Sequence, residues 1–181
     1  GLVVDGGGNV YVTGESQLNG QVDYATVKYS PTGNELFVLR YNSPGDDLDR
    51  ATDIGLDAFN NIYVTGETTM EEGGLHNTTI KYTSAGDFVW ERTSPAVTGN
   101  YTRSFLKIDA GGNPIVARSE FVGSFDLGDL NYIVTKYNGN GDVVWSGFYA
   151  GPDERADVVS AMDLDHLNNV YLTGGSGTSM A

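Results

Sequence analysis

Cysteine is absent from the whole of this 181-residue chain, which excludes a disulfide framework and a thiolate metal site and leaves the redox compartment unread. Basic residues are scarce. Ten Lys and Arg face 24 Asp and Glu, and the resulting formal charge of -14 repels a phosphate backbone and an anionic membrane, so nucleic acid is not an expected partner. No run of about 18 apolar residues exists, so no helical membrane span is expected. The opening GLVVDGGGN has no Met, basic leader or cleavage-site pattern, and any export signal is expected upstream. Helical periodicity is missing too: no stretch holds it for two turns.

Glycine and short alternating runs are what the chain has in quantity. Its 25 glycines sit with Asn, Asp and Ser in punctuation between runs of β-branched and aromatic residues, and 39% hydrophobic residues suffice for a core. Laid against itself, the chain repeats. NVYVTGE at 9–15 returns as NIYVTGE at 61–67, NPIVARSE at 113–120 and NVYLTGG at 169–175. The marker residues Asn9, Asn61, Asn113 and Asn169 are spaced by 52, 52 and 56, and Asp5, Asp57, Asp109 and Asp165 each stand four residues before them. A second motif follows in step: TVKYSPTGNELF, TIKYTSAGDFVW and VTKYNGNGDVVW. Each unit reads as four strands. D-x-x-x-N joins the first to the second, and PTGN, SAGD or NGNGD joins the third to the fourth, all rich in residues that accept positive φ. Repetition of a four-stranded unit of this length predicts an all-β chain built of β-propeller blades, about 3.5 of them, with 52–56 residues each.

The motifs resemble those of the secreted bacterial β-propeller repeat proteins, whose units read D-x-x-G-N-x-Y-V-T-G and then D-Y-x-x-x-K-Y-x-x-x-G-x-x-x-W. DGGGNVYVTGE, DYATVKYSPTGNELF and DLNYIVTKYNGNGDVVW carry the likeness, which spans essentially the whole chain. Trp90 and Trp145 occupy the position of the blade-docking tryptophan, with Phe37 in the same place, and Ala117-Arg118 departs from the Thr-Gly of the other units. The resemblance implies secretion or surface display and a role in interaction.

Fourteen strands are expected: a partial first strand in GLVVD, three full quartets divided between neighbouring blades, and a last pair in VVSAMDLD and VYLTGGS. Residues 1–181 thus read as one partial propeller domain, part of a six- to eight-bladed ring. Completion is expected from the rest of a parent chain or from another chain, because open ends leave strand edges unpaired.

Two of the four connections in each unit vary. They are the segments 15–23, 67–77 and 119–131 after second strands, and 42–49, 93–101 and 149–157 between units. Blade geometry puts these six at one end of the sheets and the tight turns at the other. Asp46, Asp47, Asp49, Asp153, Glu154 and Asp157 there are candidates for a calcium site, since that ion takes six to eight oxygens; no D-x-[DN]-x-[DN]-G loop accompanies them. Residues that break the repeat are candidate ligand contacts: Arg118, where the other units have Gly14, Gly66 and Gly174; Tyr101, where they have Asp49 and Asp157; and Phe121, Phe125 and His76 in variable loops. Recurring residues read as architecture. Asp5, Asp57, Asp109 and Asp165 suit turn-amide acceptors, Lys28, Lys81 and Lys136 suit ion pairs with neighbouring strands, and Tyr29, Tyr82 and Tyr137 suit the core.

No G-x-S-x-G elbow, H-E-x-x-H helix or phosphate-cradling glycine loop is present, and Gly86 to Trp90 is one residue longer than the sialidase repeat S-x-D-x-G-x-x-W. The expected function is that of a non-catalytic secreted or surface module offering its variable acidic loops to a glycan, peptide or surface partner. A structural spacer in a large adhesin is the alternative, and a fragment of a propeller enzyme a second one.

Overall fold

The structure is a computed structural model that describes residues 1–18, 20–45, 48–71, 74–95, 103–121, 130–151 and 156–177. It is all-β, with 14 strands in four antiparallel sheets. The first sheet is β1 (Leu2–Val4), β2 (Val10–Leu18), β3 (Gln21–Tyr29) and β4 (Glu35–Tyr41), hydrogen-bonded in that order. The second runs β5 (Arg50–Leu56), β6 (Ile62–Thr69), β7 (Leu75–Tyr82), β8 (Phe88–Thr93), and the third β9 (Phe105–Ile108), β10 (Pro114–Phe121), β11 (Leu130–Tyr137), β12 (Val143–Tyr149). The fourth has two strands, β13 (Asp157–Leu164) and β14 (Val170–Ser176). The expected division of quartets between neighbours does not occur. Each quartet stays within one sheet, and Leu2, Val3 and Val4 pair fully with Val12, Tyr11 and Val10, because the D-x-x-x-N turn is too tight to deliver its two strands to different sheets.

That turn has the same construction four times. Asp5, Asp57, Asp109 and Asp165 each accept, on Oδ1, the backbone N–H groups two and four residues later, at 2.8–2.9 Å, and the Asn at the fourth place adds its side-chain amide. Between them the chain turns through a left-handed residue, Gly8, Asn60, Gly112 or Asn168, with φ from 60° to 82°. Tyr11, Tyr63 and Tyr171 donate their hydroxyls to the second carboxylate oxygen. The third unit has Ile115 in that place, and Lys136 fills the gap by reaching Asp109 Oδ2 at 2.6 Å.

Consecutive sheets pack face against face. Ile54, Ile62, Val64 and Ile80 of the second sheet bury against Tyr11 and Tyr24 of the first, and Tyr63, Trp90, Leu106, Val116 and Tyr137 fill the next junction. Ala117, Tyr132 and Val134 meet Val159 and Met162 in the third. Alternation along the strands of the second and third sheets therefore feeds two different junctions, one per face. Polar ties cross these boundaries as well: Tyr24 donates to Thr78 O, Thr52 pairs with Ser104, and the N–H of Leu106 binds Asp53 Oδ2 at 2.9 Å.

Of the recurring lysines, only Lys136 makes the expected ion pair. Lys28 lies over the rings of Tyr11 and Phe37, at 4.9 and 5.4 Å from their centroids. Lys81 donates to Gly139 O at 2.9 Å in the following sheet. Both ammonium groups thus sit against aromatic or carbonyl surface, and among the described residues neither has a carboxylate at ion-pair distance.

Candidate functional site

The β2–β3 and β4–β5 type connections lie at one end of the sheets, and the roots of these loops are held by buried carboxylates. Asp49 is completely buried between β4 and β5. Its N–H donates to Val22 O, while its Oδ2 accepts the Ser43 N–H at 2.5 Å and its Oδ1 the Ser43 hydroxyl at 2.8 Å and the Thr69 N–H at 3.2 Å. Thr69 in turn donates its hydroxyl to Leu48 O. One side chain thereby fastens the inter-sheet loop to the end of β6. Gly45 is part of the same fit, since a Cβ there would meet the Thr69 carbonyl oxygen.

Part of the same lock recurs at the third junction, where Asp157 Oδ1 has no hydrogen-bond partner. Asp157, also completely buried, accepts the N–H of Gly151, six residues earlier, at 2.5 Å, as Asp49 does from Ser43. A side chain at position 151 would collide with Ser176 Oγ and the Asp157 carboxylate, which explains glycine there. Burial pushes the Asp49 carboxyl above its ordinary pKa; the bonds from Ser43 and Thr69 oppose the shift, and Asp23 adds to it. Asp23 is itself buried on β3, and one of its carboxylate oxygens has no hydrogen-bond partner. Glu67, at the end of β6, is likewise raised by burial, with Arg50 opposing. Arg50 is committed to Glu15 at 2.8 Å, both half-exposed.

Asp49 and Asp157, read from sequence as metal ligands, therefore stand inside the protein at separate junctions, each engaged by the loop it anchors. Among the described residues no group of three or more His, Asp or Glu is gathered as a metal would require. Asp46, Asp47, Asp153 and Glu154 lie outside the described residues, as do Tyr101 and Phe125. Phe121 ends β10, its backbone paired with Leu130.

Arg118 is buried on β10, with Nε and Nη2 at 2.8 and 2.5 Å from Glu120 Oε2. It shares its strand face with Val116 and so points into the junction between the second and third sheets, where its charge favours ionisation of the Tyr137 hydroxyl against the larger effect of burial. Why this unit tolerates arginine follows from its neighbours. At Gly66 and Gly174 a Cβ would strike the carbonyl oxygens of Arg50 and Val158, pressed inward by irregularities in β5 and β13. Strand β9 ends its pairing at Ala117, so Arg118 has no ladder partner on that side.

His76 is a buried strand residue. Its Nδ1 faces the Ser94 carbonyl oxygen at 2.8 Å and must carry the proton, and Nε2 is buried without a partner. A ring so placed has no access to substrate. The residues that sequence reasoning missed are Ser43, Thr69 and Gly151, whose roles rest largely on backbone donors that leave no mark on composition, and Asp23, which looks like any strand carboxylate. Comparison of the chain with protein-family models and with curated proteins finds no match to either.

Proposed function

We propose that this chain is an arc of a β-propeller of the secreted repeat type and that it works as a non-catalytic recognition module, its variable loop end taking a glycan or peptide ligand outside the cell. The single observation that carries the reading is the division of labour at that end. Buried carboxylates fix the loop roots at Asp49 and Asp157, while the segments between them differ in length and charge from unit to unit. A rigid base under diverse loops is how scaffolds present binding surfaces. Face-to-face stacking of four-stranded meanders supports the propeller, and connections that alternate between the two ends of each sheet support a shared end for the variable loops. Calcium held by the acidic loops would serve as part of that surface.

The test is binding of the purified chain to glycan and peptide arrays, with calcium and again with chelator. Specific binding that is lost when residues 70–75 are replaced by an Asn-Gly turn supports recognition, and its loss in chelator supports an ion. Silence in both conditions from a natively folded sample overturns the module and leaves the spacer.

A further inference from the structure

Two junctions of this molecule display what a third lacks. At the first, Phe37 and Leu39 of β4 receive the turn between β7 and β8, where Gly86, at φ 97°, would bring a Cβ to 3.0 Å from Leu39 Cδ2. At the second, Trp90 and Arg92 of β8 receive the turn between β11 and β12 in the same way. There Lys81 Nζ and Trp90 Nε1 both donate to Gly139 O, at 2.9 and 3.1 Å, and Arg92 Nε donates to Gly141 O at 2.7 Å. What docks, in both cases, is the hairpin of third and fourth strands.

The third sheet carries the same receptor without an occupant among the described residues. Trp145 is paired with Lys136 across the strands as Trp90 is with Lys81 and Phe37 with Lys28, yet Trp145 is 39% exposed where Trp90 is 7%. Tyr149 repeats the contact of Tyr41: Tyr24–Tyr41 and Tyr132–Tyr149 are both tilted pairs with centroids 5.6 Å apart. The Tyr41 hydroxyl is sealed in its junction, whereas Tyr149 is 50% exposed. Beside them Val134, Val170 and Leu172 help to line an apolar cavity of about 270 Å³. β14 has β13 on one side and, among the described residues, no strand on the other.

We propose that this face and the β14 edge bind a β-hairpin of the chain's own third-and-fourth-strand type, with a left-handed glycine in its turn, seated on Trp145 and pairing with β14. The two filled junctions argue for this occupant: it alone supplies strand pairing for β14 and a side-chain-free turn for the indole. A second copy of the chain does not fit, because its hairpins of this type already lie inside four-stranded sheets.

The probe is a synthetic peptide of residues 130–149, with Trp145→Phe in the peptide, added to the intact protein. Saturable binding is expected by calorimetry, with a raised Tm and slowed hydrogen exchange along β14. Affinity is expected to fall about tenfold or more with Trp145→Ala or Tyr149→Asp in the protein, and with Gly141→Val in the peptide. As a check on peptide folding, the same hairpin joined by a flexible linker after Ala181 should shield Trp145 from iodide quenching. Unchanged quenching and exchange in the joined form would overturn the proposal, as would binding indifferent to Trp145→Ala and Tyr149→Asp. Self-association that buries the same residues without peptide would overturn it in favour of a second copy.

Discussion

The indole of Trp90 and the α-carbon of Gly141 meet so closely across the boundary between the second and third sheets that a methyl group at Gly141 would lie 3.0 Å from Trp90 Cδ2. Gly33 occupies the same place in the first hairpin, with the same φ of 84°, and a Cβ there meets nothing within 4 Å. The pair separates two costs. Gly33→Ala should lose only the conformational part, about 1 kcal/mol, while Gly141→Ala should lose about 1–3 kcal/mol more through overpacking. Urea unfolding midpoints of the two variants, compared at equal m-value, measure the difference.

Trp90 and Trp145 hold one repeat position but not one environment. Trp90→Ala removes a buried ring and its bond to Gly139, and about 3–5 kcal/mol of stability should go with it. Trp145→Ala, at an exposed site, should cost less than about 1 kcal/mol in the isolated protein. Equal costs in thermal denaturation would show that Trp145 is covered in solution.

Removing Arg118 leaves Glu120 with a half-buried charge and no cation, so Arg118→Met should destabilise by about 3 kcal/mol. Adding Glu120→Gln to that variant should restore most of the loss. A double-mutant cycle by chemical denaturation reads the coupling, and additive costs would refute it.

Asp109 gives the acid limb of the stability curve a definite sign. Burial alone would raise its pKa, but the hydrogen bonds from Lys136 and Asn113 outweigh it, and the folded value lies below the ordinary 3.8. Its stabilisation is therefore complete above that pH and is lost as the pH falls through the folded value. Asp109→Asn should lower Tm near neutrality and flatten its fall in acid. Tm measured from pH 2 to 7 for both proteins tests this, and parallel curves would refute it.

Asp49→Asn replaces one acceptor of the loop lock by a donor facing donors. The expected cost is about 1–3 kcal/mol, with faster hydrogen exchange at the Ser43 and Thr69 amides and no change at Asp165, whose turn is remote from the lock.

The sequence was most legible where one residue does one local job many times. Asp5, Asp57, Asp109 and Asp165 bind amides two and four residues away, so spacing alone revealed the turn. Gly33, Gly86 and Gly141 likewise announce their backbone angle. Contacts between sheets were harder to foresee. Asp49 reads like its acidic neighbours because its partners, the amide and hydroxyl of Ser43 in the inter-sheet loop and the amide of Thr69 at the end of β6, come together only in the fold. Arg118 drew attention as an unusual cation, and its burial depended on the short reach of β9, which no local pattern encodes. His76 reads as a loop residue because the repeated third-strand motif starts only after it, whereas β7 begins at Leu75.

The hairpin at the second junction is gripped by its carbonyls at residues 139, 140 and 141, and of its two glycines there only Gly141 would bring a Cβ as close as 3.0 Å to the receptor. The grip is thus indifferent to most of what the turn is spelled with. Units built on this rule are interchangeable parts: any one that offers a glycine turn can follow any one that ends in an aromatic, so their order and number can change without redesign of the joints.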